Sequence, residues 1–169
     1  MRKSALLAMP RGFGTYIAEA GDGELADELI LDLEAELDVA QLRRRQDHAY
    51  APSKWTVKAV IQHIVDTERI FAYRVLRFAR ADRTPLPGFD EDAYAANSGA
   101  AKRDCDGLLE ELRAVRGATV LMFAGFDEAM LLRSGTCAGI DVQVLALGFA
   151  IVGHGRHHLQ VLRSRYLTS

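Results

Sequence analysis

From Val57 to Phe78 the apolar side chains Val57, Val60, Ile61, Ile64, Phe71, Val75 and Phe78 recur at helical spacing, and no proline or glycine interrupts them. Such a run can bury only one face, and it does so as a long helix that needs other helices to cover it. Thr56, after Trp55, supplies an N-cap oxygen, and the period carries the helix to about Ala81. Three further segments follow the same rule. Leu25, Leu29, Leu33 and Leu37 recur every four residues between Gly23 and Arg45, and Arg43, Arg44 and Arg45 close that segment with charge suited to a helix C-terminus. Asp104 can cap a third helix carrying Leu108, Leu112, Val115, Thr119, Met122 and Phe126. Asp141 is the N-cap candidate of a fourth, in which Val144, Leu145, Ile151, Val152, Leu159 and Leu162 lead to about Tyr166.

No alternating run is long enough to demand a sheet, and there is no internal repeat. The expectation is an all-α chain with four principal helices. At 169 residues it is long enough for one domain to bury a sizeable core, over about residues 16–167. The connections are legible too. Asp47 to Lys54 contains Pro52 and has no period. Pro85, Pro87 and Gly88 open a long connection from Thr84 towards Lys102, of the kind that often borders a site. Ser134 to Ile140 reads as a loop carrying Cys137.

Charge removes several classes of function. Twenty-one basic and twenty-three acidic side chains leave a formal charge of −2, with no basic stripe to follow a phosphate backbone, so a nucleic-acid partner is not expected. The apolar stretch Val142 to Gly153 is interrupted by Gln143 and glycine and is too short to span a bilayer. Two cysteines without metal-type spacing and an N-terminus without a signal-type apolar core lead to the expectation of a reducing, cytoplasmic setting.

The residues that carry chemistry are histidines. On the fourth helix His154 and His158 are separated by four positions, about 40° on a helical wheel, and lie at the edge of the apolar stripe beside Leu147 and Ile151. His157 points elsewhere, to the surface or behind the pair. Two inward imidazoles without a carboxylate between them are costly to bury, whereas a cation satisfies both and invites a third nitrogen. On the second helix His63 occupies the rim of the stripe, on the edge shared with Thr67 and Ile70. The glutamate of the H-E-x-x-H metalloprotease motif is missing, so this is not that kind of site. Gly148 and Gly155, seven residues apart, permit close helix packing.

Three blocks in order resemble a known family: Trp55-Thr-Val-Lys-Ala-Val-Ile-Gln-His63-Ile-Val-Asp66-Thr-Glu68-Arg69-Ile-Phe-Ala-Tyr73-Arg74, then Thr84-Pro-Leu-Pro-Gly-Phe-Asp90, then Gly153-His154-Gly-Arg-His157-His158-Leu159. The chain resembles the DinB/YfiT-like superfamily from Tyr16 to Leu167. The resemblance implies an antiparallel four-helix bundle, a homodimer, and one divalent transition-metal ion, such as zinc, nickel or iron, on His63, His154 and His158. It also implies a metal-dependent enzyme acting on a small molecule, as a hydrolase or as a transferase using a low-molecular-weight thiol such as bacillithiol or mycothiol. The alternative is a non-catalytic metal-binding stress-response or interaction module. Gly155 departs from the glutamate of many relatives, which weakens any role for an acid between the ligands. Asp66, Glu68 and Arg69 are expected to form ion pairs at the bundle edge rather than a proton shuttle, and Cys137 to be a passive thiol.

Overall fold

The computed structural model describes residues 1–30 and 37–168. Its α-helices are α1 (Gly14–Glu19), α2 (Leu25–Glu28), α3 (Val39–Arg44), α4 (Val57–Ala79), α5 (Glu91–Asn97), α6 (Cys105–Ala124), α7 (Glu128–Leu131) and α8 (Val144–Val161). Two short strands, β1 (Ser134–Cys137) and β2 (Ile140–Gln143), form an antiparallel hairpin. The long α4 packs against both α6 and α8, while α2 lies against α6 and α8 and α3 against α6, so the segmented N-terminal stretch takes the fourth side of a four-helix bundle.

The caps explain most boundaries. Thr56 accepts from the Ala59 amide, and Asp104 from the Gly107 amide, which fixes the starts of α4 and α6. The continuous segment expected from Gly23 to Arg45 does not hold. Asp38 has extended backbone and its carboxylate accepts from the Gln41 amide at 2.9 Å, so it starts a new helix instead of continuing an old one. Leu33 of the expected stripe lies outside the described residues. The connection from Thr84 to Lys102 also contains α5, because Asp90 accepts from the amides of Asp92 and Ala93, both at 3.0 Å.

The Ser134 to Ile140 loop is a correction of another kind, since it is the turn and most of the ladder of the hairpin. Ala138 and Gly139 both have positive φ, 51° and 74°, as a two-residue type I′ turn requires. Asp141 therefore sits in β2 and accepts from the Thr136 hydroxyl. The N-cap of α8 is Gln143, and the first α8 amide, on Val144, donates to the Arg133 carbonyl at 2.9 Å. Sequence reading found no element before Gly23, yet α1 is there and packs along α8. The two meet at Gly153, where an added Cβ would collide with the Tyr16 carbonyl; only glycine permits the approach.

The core has two parts. One contains Phe71, Val75 and Phe78 of α4 with Val144 to Val152 of α8. The other contains Val57 to Val65 of α4, Leu108 and Leu112 of α6, and Leu159 of α8. Between them lies a layer of buried polar side chains: His63, Thr67 and Glu68 of α4, Arg116 and Thr119 of α6, and His154 of α8.

Candidate metal centre

His63, His154 and His158 come together at this polar layer, with one nitrogen from each lying within 4.8 Å of the others. Ring centroids are 4.9 Å apart for His63 and His154, 4.7 Å for His63 and His158, and 4.5 Å for His154 and His158. The four-residue spacing on α8 stacks two imidazoles one turn apart, and the long α4 delivers the third from the facing helix.

These imidazoles are short of partners. The Nε2 atoms of His63 and His154 face each other at 3.0 Å, so one neutral ring can donate to the other. His158 Nε2 is buried and meets no hydrogen-bonding group among the described residues. Burial holds His63 down to about 4 despite the opposing pull of Asp92. Burial, then the neighbouring histidines, holds His158 at about 3. His154 falls well below the ordinary value, again through burial first and then through His158 and His63. The cluster is thus neutral at physiological pH, with lone pairs available. Three uncharged imidazoles, one with an orphaned buried nitrogen, fit a single borderline-soft divalent ion, which would replace the missing partners.

The surroundings orient the rings. The Trp55 ring centroid stands 4.8 Å from that of His63, and Tyr16 of α1 packs edge-on to His154 at 5.1 Å. His157 faces away and its Nδ1 lies 3.3 Å from Glu19 Oε1. Two cavities adjoin the cluster. One, of about 280 Å³, lies beside His158 and includes Tyr50, Trp55 and Asp92. The other, of about 210 Å³, reaches His63 and His154 and includes Tyr16, Thr67 and Arg74. Glu91, the first residue of α5, lines both.

Other residues singled out in the sequence fall elsewhere. Asp66 accepts from Gln62, and Arg69 pairs with Glu111 at 2.5 Å, both at the outer edge of α4. Glu68 is not at that edge. Both its carboxylate oxygens take hydrogen bonds of 2.8 Å from Arg116 inside the bundle. A Cβ on Gly155 would approach the same guanidinium, so the missing side chain leaves room for this pair. Cys137 is fully buried, and burial raises its thiol pKa, which suits a passive role. Sequence reading gave no role to Tyr16, Glu91 or Arg74: Tyr16 stands outside any expected helix, Glu91 lies in a connection, and Arg74, though inside the first block of the resemblance, is a charge that no local pattern ties to the histidines.

A helical bundle with three neutral imidazoles across its middle is an arrangement that could hold one metal ion. The DinB superfamily matches residues 24–162, and the chain belongs to that superfamily. Among solved structures it is similar to YfiT from Bacillus subtilis, described as a probable metal-dependent hydrolase with an unusual four-helix bundle topology. The TM-score is 0.71 at 18% sequence identity, over 99% of this chain and 94% of that chain, which establishes a shared fold. No curated protein matches the sequence.

Proposed function

We propose that this chain is a divalent-metal-dependent enzyme acting on a small molecule, with His63, His154 and His158 as the ligands. The observation that carries the reading is a three-nitrogen cluster flanked by two cavities. Structural sites are usually closed by four protein ligands, whereas three leave a position for a reactant. The description of YfiT supports hydrolysis, and an ion with an open position would also serve transfer of a low-molecular-weight thiol to an electrophile. A divalent ion there supplies Lewis acidity and brings a water or thiol towards a pKa of ~7.

The rest is done by the chain itself. Buried and neutral, the histidines do not compete for protons with a reactant. Glu91 is the carboxylate common to both cavities, so it is placed to take up and release a proton on either side. Phe13, Phe71 and Ile140 give the second cavity apolar walls that limit water. A homodimer in the cytoplasm belongs to the same proposal on the strength of the resemblance, and light scattering at micromolar protein tests the dimer.

The experiment is metal analysis of protein purified without a histidine tag. It is followed by chelator stripping and assays of ester hydrolysis and thiol transfer with zinc, nickel, manganese or iron(II) restored. Turnover that needs metal and is lost in His154→Ala supports the proposal. Turnover in stripped protein overturns the mechanism, and metal binding without turnover under any condition replaces it with a non-catalytic module.

A further inference from the structure

Among the described residues the buried cationic side chains are Lys58, Arg74 and Arg116. Two have carboxylates: Lys58 lies 2.5 Å from Asp47, and Arg116 is held at two points by Glu68. Arg74 has none. It is 4% exposed, donates once, to the Pro87 carbonyl at 2.9 Å, and lies 5.5 Å from the Phe71 ring centroid and 5.8 Å from that of Phe89. One carbonyl and two aromatic faces offset part of the cost of burying a guanidinium, and they leave most of its N–H donors unused.

The position of this charge gives it meaning. His63, Thr67, Phe71 and Arg74 follow one another at helical spacing on a single face of α4, and Arg74 lines the same cavity as His63 and His154. Thr67 lies between them. Its hydroxyl is buried and meets no hydrogen-bonding group among the described residues, whereas Thr119 donates to the carbonyl one turn back, that of Val115, at 3.0 Å. One cavity thus runs from the metal-type cluster past an unpartnered hydroxyl to an unpaired guanidinium.

We propose that Arg74 binds the carboxylate of a small acid whose other end reaches the histidines. This makes the chamber selective for substrates that carry a carboxylate on a short apolar chain. The inference rests on reading the cavity as the substrate chamber of a metal enzyme, although the carboxylate contact itself needs no metal. A planar fork meets a carboxylate at two points. A single guanidinium among phenylalanines balances one negative charge, which favours a carboxylate over the greater charge of a phosphate monoester. Space is adequate, because a cavity of about 150 Å³ already admits benzene, and this one measures about 210 Å³. Glu91 lines the chamber from an exposed position and forms no ion pair with Arg74, so the guanidinium remains available.

The test is a ligand-observed NMR titration of the full-length protein, zinc-loaded and chelator-stripped, with pentanoate and its neutral twin pentanamide. Pentanoate should bind both forms, pentanamide at least about tenfold more weakly, since a hydrogen bond to a charged group contributes about 1.5–3 kcal/mol. Arg74→Met should lose pentanoate by a similar factor, and Arg74→Lys, which keeps the charge without the fork, should lie between. Pentanoate binding unchanged in a folded Arg74→Met overturns the proposal. So does binding that vanishes on stripping and in His154→Ala while surviving at Arg74→Met, because the carboxylate then sits on the ion. If circular dichroism shows Arg74→Met unfolded, Arg74→Lys decides, and wild-type affinity there overturns the two-point contact. Failure of pentanoate to bind wild type at tens of millimolar, or butyl phosphate competing equally well, also overturns it. Arg74-dependent binding in a protein that shows no turnover with any metal supports this subsite and refutes the enzyme reading alone.

Discussion

At the scale of single residues, the histidine cluster makes the sharpest expectation. Replacing His63, His154 or His158 by alanine should weaken metal binding by more than about a hundredfold, since even groups that only orient a ligand are worth 10–100-fold. His157→Ala should keep the metal, because that ring faces Glu19. Trp55 is the single tryptophan, so nickel or copper titrated into stripped protein should quench its fluorescence with a one-to-one isotherm, and His63→Ala should abolish the response. Equal metal loss in the His157 and His154 variants would refute the assignment. The Glu68–Arg116 pair, with side chains 2% and 7% exposed, gives a second expectation. Glu68→Gln should cost about 3–5 kcal/mol in urea unfolding because it strands a buried cation, and the double change Glu68→Met with Arg116→Met should cost less. A larger loss in the double variant would contradict that account. Spacing alone brought out the α8 pair, since i and i+4 positions must stack. Glu68 was misplaced because its partner lies forty-eight residues away, and no local pattern reports such a pairing.

Among the elements, long helices were legible and short ones were not. α4 and α6 combine a sustained apolar period with a capping side chain, and their limits follow from those two features. α1 and α5, of six and seven residues, are too short to show a period, and they form because the bundle and the Asp90 cap hold them. The hairpin escaped notice because four-residue strands need no alternation that stands out, and Ala138 is an unusual occupant of a turn position with positive φ. The seat of α1 makes this level testable. Gly153→Ala should destabilise by about 1–3 kcal/mol through overpacking, and limited proteolysis should cut earliest near residues 9–22. A protected N-terminus in that variant would show that α1 does not depend on the glycine.

For the whole molecule, the buried histidines tie stability to acidity. Their folded pKa values lie below the ordinary 6.5, at about 4 for His63 and about 3 for His158, so below pH 6.5 the unfolded chain binds protons that the folded chain refuses. Stability of the metal-free protein should therefore fall as pH drops from about 6.5 towards 4, read as a falling urea midpoint. Alanine at His158 should flatten that slope, and an unchanged slope would remove these histidines as its cause. Bound zinc should raise the melting temperature at pH 7 and steepen the acid loss, since protons then compete with the ion.

The superfamily match begins at residue 24, yet Phe13 and Tyr16, which wall the second cavity, stand before it on the short segment lodged against Gly153. The three candidate ligands and this part of the cavity wall thus come from different stretches of chain. On the proposed reading, new residues at positions 13 and 16 would reshape the chamber wall without replacing any of the three candidate ligands. For an engineer that stretch is the natural place to randomise.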